Sequence, residues 1–507
     1  MAQLDPVALG VFIALFAFVT VLGFFAARWR KGDLTLLSEW GLGGRRFGSV
    51  VTWFLLGGDL YTAYTFIAVP ALMFGAGALG FFAVPYAAVG YVFMFVAFPR
   101  FWSVAKAKGY VTGADFVRGR FGSKSLALAI ALTGIVATMP YIALQLVGME
   151  VVLAGLGIHG EWPLIIAFVV LAIYTYASGL RAPAMIAVVK DFLIYATVIG
   201  AILIIPHELG GYAKIFAAVA TAKLTLPADA FSNPGQFSYA SLALGSAMAL
   251  FLYPHAATGM LSSSSRSVIK RNAVALPAYS IVLGLIALLG FMALAAGVST
   301  MPRYAEGFKS FGNNFAVPAL FLQMFPSWFV GIAFAAIAIG ALVPAAIMSI
   351  ACANLFTRNI YREFFKPDCT PREESQVAKI ASLVVKAGAL IFILEGQAKT
   401  AIELQLLGGI WIIQTLPAVL LGLYTRWLHH RALLIGWMAG IGAGTWMAAQ
   451  SGFKASVTVL HFGSFALPCY AALSSLILNL IVSAALSLVF NAMSDRRQDA
   501  TLAKDYA

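Results

Sequence analysis

Leu56-Gly57-Gly58-Asp59-Leu60-Tyr61-Thr62-Ala63-Tyr64-Thr65 sits in the middle of an apolar run over about 50–74. An unbroken helix through a bilayer is a poor home for this stretch. An ionised aspartate at that depth is expensive, and paired glycines loosen a helix where lipid offers no substitute hydrogen bonds. The sequence makes physical sense if the helix is interrupted there and its freed backbone groups line a polar cavity. It reads as one half of a transport site.

The rest of the chain has the composition this reading requires. Of 507 residues, 61% are hydrophobic and only 10% charged, with a mean hydropathy of +0.90. A soluble domain carries about 25% charged residues, so the chain is an integral membrane protein. Apolar runs recur from end to end without a soluble block longer than a loop, which makes one transport domain over 1–507 and excludes a tethered enzyme. Cys352, Cys369 and Cys469 are scattered, with neither metal spacing nor a disulfide framework, and read as packing thiols. The first charge is Asp5 and no basic region precedes the first apolar run, unlike a cleavable signal.

Thirteen spans are expected, at roughly 6–27, 48–74, 79–99, 127–155, 162–179, 182–206, 240–264, 275–297, 326–356, 378–395, 401–424, 432–450 and 467–491. With the N-terminus outside, 25 of the 33 lysines and arginines fall on the inner side and six on the outer, leaving Lys190 and Lys386 within spans. That bias follows the positive-inside rule and sets N-out, C-in, in a bacterial inner membrane. The net charge of +13 is therefore topological and implies no nucleic-acid partner. Two long outer segments, 207–239 and 298–325, are either vestibule caps or connectors. The polar tail 491–507 is too short for a signalling domain.

A second interruption is expected at Tyr253-Pro254-His255, followed by Gly259. Proline removes a ladder hydrogen bond, and a histidine at membrane depth marks a polar site. If the span 6–27 is a leader, the two breaks occupy core spans one and six. Matching positions imply two five-helix units, 48–206 and 240–424, inverted because each holds an odd number of spans, with the site between them. Two trailing spans cover 432–491.

The ninth span ends Pro344-Ala345-Ala346-Ile347-Met348-Ser349-Ile350, and Asn359-Ile360-Tyr361 follows. With Trp53, Gly57-Gly58 and Pro70 in the second span and Lys190-Asp191 in the sixth, this resembles the sodium:solute symporter family over about 5–490. It is most similar to the bacterial monocarboxylate permease branch, which carries lactate-, pyruvate- and alanine-type solutes. The resemblance implies an all-α LeuT-type five-plus-five inverted repeat, with one leader and two trailing helices. It also implies a sodium site from the carbonyls of Gly58, Tyr61 and Ala346, the Ser349 hydroxyl and one further hydroxyl. At that last position stands Ile350, whose side chain has no oxygen for a hard cation. A family carboxylate falls on Leu60, with Asp59 one residue early. The sodium site thus departs from the pattern at two positions.

Lys190 lies about eight residues, some 12 Å, inside the fifth core span. In proton-coupled relatives of the LeuT fold, a lysine amine on that helix replaces the sodium ion. An ammonium can stand for a monovalent cation, and a buried amine can release its proton. Lys190, beside Ser349, Asp59 or Asp191, is thus expected to be the coupling cation and to switch charge. The bland alternative is a snorkelling lysine. A direct Lys190–Asp191 pair does not follow from adjacency, since neighbouring helical residues face apart. Lys386 reads as a snorkeller.

Donors for a carboxylate substrate are sought among Tyr61, Thr62, Thr65, Gln145, Tyr253, His255, Gln405 and Gln414. Gln405 matches a substrate-facing glutamine of the family's sugar-carrying branch. An intramembrane threonine often bonds its own helix, and Gly57 and Gly58 can instead serve close packing. Glu150 reads as a structural or vestibule acid, and Ser262–Arg266 as an inner-gate or capping segment. The expectation is a secondary symporter of small monocarboxylates, driven by protons or alternatively sodium, in the lipid bilayer. No cofactor, enzymatic centre or obligate protein partner is expected. A channel or sensor is the reading from another class, and the kinase extension of the family's sensors does not occur in this sequence.

Overall fold

A computed structural model describes residues 4–29, 32–233, 235–394, 401–493 and 498–506. The chain begins with α1 (Pro6–Phe25), started by Asp5, whose carboxylate accepts from the backbone N–H of Val7 and Ala8. The first interrupted span follows as α2 (Ser49–Leu60) and α3 (Val69–Ala76), joined through a wide turn at Tyr64–Ala68. Then come α4 (Ala83–Lys108), α5 (Lys124–Gly155), α6 (Trp162–Ser178) and α7 (Arg181–Glu208). The second interrupted span is α8 (Gln236–Leu250) and α9 (Pro254–Leu261), bent by 48°. The remainder is α10 (Arg266–Ala295), α11 (Ser327–Phe356), α12 (Pro371–Leu394), α13 (Ala401–Ile412), α14 (His430–Gln450) and α15 (Ala471–Ala492).

Among the described residues ten helices are long and apolar enough to span, or eleven with the bent pair counted as one. The count of thirteen is not reached on this measure. The difference falls where a break shortens the helix at Ser49–Leu60, and at Trp162–Ser178, with 17 residues. It falls also where Tyr64–Lys108 runs on as a single apolar stretch. The all-α expectation also meets an exception. Val457–Phe462 and Phe465–Tyr470 form an antiparallel hairpin, β1 and β2, whose turn holds Gly463 at a φ of 63°.

Burial separates centre from rim. The most apolar window of the segment Ser327–Phe365 is 94% buried, against 22% for α1 and 28% for α15. The α11 helix packs on α1, α5, α7 and α12, with α2 and α9 against its flank. A helix apolar on all sides belongs at such a centre. The site residues therefore project from elements that surround α11.

Candidate transport site

The first break does not fall at Gly57-Gly58. Both glycines stay helical, and the backbone leaves the helix at Tyr61, with φ −84° and ψ 87°. The glycines instead permit close approach. A Cβ on Gly57 would lie 2.3 Å from the Tyr279 ring, and one on Gly58 would lie 2.9 Å from Lys190 Nζ. The freed backbone is satisfied locally. Thr62 Oγ1 accepts from Tyr64 N–H at 3.0 Å, and the Thr65 hydroxyl donates to Leu60 O. Gln145 Oε1, on α5, accepts from Ala63 N–H at 3.2 Å. These three polar side chains thus hold the shape of the break.

Lys190 reaches into the break from α7. Its amine donates to Gly58 O at 2.6 Å and to Tyr61 O at 3.0 Å, and lies 2.9 Å from Asp191 Oδ1. Both side chains are fully buried. The pairing of adjacent residues corrects the expectation that they face apart: the long lysine stem bends back until its amine meets the neighbouring carboxylate. Asp191 Oδ2 in turn accepts from Tyr279 OH at 2.9 Å, and Tyr279 O accepts from Tyr61 OH at 3.1 Å. Tyr279, on α10, was not foreseen, because a tyrosine in an apolar run carries no signal of its partner. Lys190 makes no hydrogen bond to Ser349.

The Ser349 side of the expected cation site belongs to a different network. Ser349 Oγ donates to Ala346 O at 2.8 Å and accepts from Ser382 at 3.2 Å, and Ser382 accepts from Lys386 Nζ at 2.8 Å. Lys386 is only 2% exposed. This corrects its reading as a snorkeller: its amine is buried against Ser382, whose hydroxyl donates to Ser349 of α11. Ile350 is buried beside Ser349.

The two breaks meet through Asp59 and His255. His255 follows Pro254 at the start of α9, and its Nε2 lies 3.5 Å from Asp59 Oδ2. Tyr253 OH donates to Gln405 O at 3.0 Å. The Tyr141 ring stands 5.3 Å from Tyr253 and 5.4 Å from His255. Asp59 Oδ1, His255 Nδ1 and Gln405 Oε1 are buried with no protein hydrogen-bond partner among the described residues. Buried polar atoms of this kind call for a partner, and these three come from separate elements, α2, α9 and α13. Gln414 lies elsewhere. It donates to Ser475 Oγ at 2.9 Å and accepts from Asn479 at 3.1 Å, both on α15. It therefore packs a trailing helix and leaves the group around Asp59.

Beyond the breaks, Phe47 N–H donates to Ser262 O at 3.2 Å and Ser264 N–H to Phe47 O at 2.8 Å. Ser265 caps the helix that follows. The segment entering the first broken span is thereby tied to the segment leaving the second. Glu150, with His159 and Glu161, lines a cavity of about 240 Å³ at the end of α5.

The comparisons agree with this geometry. The model of the sodium:solute symporter family matches residues 40–440. A monocarboxylate transport permease protein of Rhizobium johnstonii is 51% identical over 498 residues, covering 98% of this chain and 99% of the relative. An uncharacterized symporter of Bacillus subtilis, YodF, is 36% identical over 431 residues, covering 83% and 84%. Among solved structures, a sodium-coupled sialic acid symporter in its substrate-bound outward-open state matches with a TM-score of 0.77. The match has 16% identity and covers 96% of this chain and 99% of that one. Interrupted helices that meet through Asp59 and His255, on a chain matched over nearly its whole length, make this protein a member of the sodium:solute symporter family, a transporter and not an enzyme.

Proposed function

We propose that this chain imports small monocarboxylates of the lactate, pyruvate and alanine type by alternating access, coupled to protons, with the Lys190 ammonium in place of the sodium ion. The observation that carries the reading is the position of that amine. It meets the carbonyls of Gly58 and Tyr61, the backbone oxygens a sodium ion would need. The isoleucine at 350 supports the same view, since it removes an oxygen from the other wall. The substrate class rests on the Rhizobium relative. Asp59, His255 and Gln405, which leave buried polar atoms without a protein partner among the described residues, and Tyr253, which donates to Gln405 O, are the proposed substrate contacts, with Tyr61 at the edge. The units 48–206 and 240–424 form the two inverted repeats, and the chain lies N-out, C-in.

The test is uptake of labelled lactate and pyruvate by proteoliposomes under separately imposed sodium and pH gradients. The expected result is accumulation under an inward proton gradient without sodium. Accumulation that follows sodium and ignores the proton gradient refutes the coupling and assigns it to sodium.

A further inference from the structure

The two intramembrane lysines differ in what their amines meet. An ammonium has three N–H donors. Lys190 donates to two carbonyls, Gly58 O and Tyr61 O, and its third near neighbour is Asp191 Oδ1, an ion pair at 2.9 Å. Its charge is balanced by Asp191. A proton leaving it would break this set and strand the carboxylate in the interior.

Lys386 has one hydrogen bond, to Ser382 Oγ, and no carboxylate within ion-pair reach among the described residues. The Ser382 proton is used on Ser349, and the Ser349 proton on Ala346 O. The hydroxyls thus run in one direction, from the amine to a carbonyl of α11, the helix that packs on both α2 and α7. A permanently charged ammonium would leave two N–H groups and a full charge unmatched in a dry interior, which is costly. A neutral amine avoids the charge. This arrangement suits a group that gains and loses a proton.

The neighbours of Lys386 do not compensate it. The α11 helix holds no acid or base other than Cys352. The α6 helix brings only Tyr174 and Tyr176. Toward the start of α12, Glu374 is paired with Arg358 at 3.0 Å, and Glu39 with Arg46 at 2.8 Å and with Arg181. Lys379 stands two turns below on α12 itself. The α5 helix brings Tyr141 and, at its far end, Glu150. That end decides the matter. Ile393, on the buried face of α12, lines the cavity shared by Glu150, His159 and Glu161. It lies seven residues past Lys386, which is two turns on the same face and about 10 Å along the axis. An acid-lined cavity therefore stands over the helix face that buries Lys386.

We propose that Lys386 carries the transported proton, fed from the Glu150–Glu161 cavity, while Lys190 is a fixed cation; this rests on the proton-coupled reading above. One proton from the outer solution adds to the lone pair of the neutral amine. After reorientation the same proton leaves to the inner solution and the amine is regenerated. The Ser382 and Ser349 hydroxyls transmit the change of charge to α11, whose other flank meets the substrate helices.

The experiment uses purified full-length protein in proteoliposomes holding a pH dye, with labelled lactate or pyruvate, and compares wild type with Lys386→Met. For one proton per monocarboxylate anion, an inward gradient of one pH unit supports about tenfold accumulation. Wild type is expected to reach it and to acidify the lumen. Lys386→Met is expected to keep exchange of labelled for unlabelled substrate at equal pH. Its accumulation ratio should fall to about one without acidification, a split that a merely structural role would not produce. Accumulation and acidification like wild type in Lys386→Met overturn this inference and leave proton coupling standing. Wild-type uptake that ignores the pH gradient overturns both. If Lys386→Met does not reach the membrane, Glu150→Gln is measured instead. Losing a neighbouring acid should move the external pH of half-maximal uptake downward, and an unchanged profile overturns the proposal.

Discussion

Replacing Lys190 by alanine tests the centre of the site. The substitution removes the donor of the hydrogen bonds to Gly58 O at 2.6 Å and Tyr61 O at 3.0 Å, and the partner of Asp191 at 2.9 Å. Asp191 would keep only Tyr279 OH, at 2.9 Å, with both carboxylate oxygens buried. Removing one member of a buried pair costs about 3–5 kcal/mol, most of it from the charge left behind. The double variant Lys190→Ala/Asp191→Asn should recover most of that loss, because no uncompensated charge remains. The single variant also leaves two carbonyls and a carboxylate around the space of the amine, a set of hard oxygens suited to a small cation. Sodium at a hundredfold over its Kd would restore about 2.7 kcal/mol. The assay is thermal unfolding of the purified protein in detergent, in sodium chloride against choline chloride at equal ionic strength. A Lys190→Ala protein as stable as wild type, and blind to sodium, would show that this lysine neither neutralises Asp191 nor occupies a cation position.

Two further outcomes can be measured, one at Gly57 and Gly58 and one at the C-terminal tail. Gly57→Ala should destabilise by about 1–3 kcal/mol, the usual cost of overpacking, because its Cβ meets the Tyr279 ring at 2.3 Å. That ring is held by Asp191 and stacked on Tyr61 at 4.6 Å. Gly58→Ala should cost less, since its nearest neighbour is the movable end of Lys190; thermal unfolding of the two variants ranks them. At the C-terminus, Asp505 accepts from Leu502 N–H at 2.7 Å and pairs with Lys108 at 3.2 Å. The backbone bond, and then Lys108, hold its carboxyl below its ordinary value of 3.8. A depressed folded value stabilises the docked tail above the unfolded value and loses that contribution as pH falls through the folded one. The protection of the 499–506 amides against hydrogen exchange should therefore be constant between pH 5 and 8, as the ordinary carboxylate range near 4 predicts, and fall only in stronger acid.

Much of this was legible in the residues themselves. Low charge content and recurrent apolar runs compel a membrane protein, since lipid accepts little else. Gly57-Gly58-Asp59 and Pro254-His255 pointed to both interruptions, because proline and intramembrane charge conflict with a continuous helix at any position in the fold. The exact place of the first break was not legible. The glycines tolerate the helix, and the chain leaves it only at Tyr61, where Lys190 takes over the carbonyls. Thr62, Thr65 and Gln145 were candidates for the substrate and prove to serve the backbone of the break.

The sequence by itself thus determined the medium, the family resemblance and the two helices that cannot stay whole, since each follows from local chemistry. Only the tertiary structure decided the partners. Lys190 and Lys386 look alike as letters in apolar runs, yet one meets two carbonyls and a carboxylate, and the other a single serine. The polarity of a buried amine's surroundings is set by which distant helices pack around it. That packing brings Tyr279 to Asp191 across 88 residues, a separation at which no periodicity or spacing in the chain carries information.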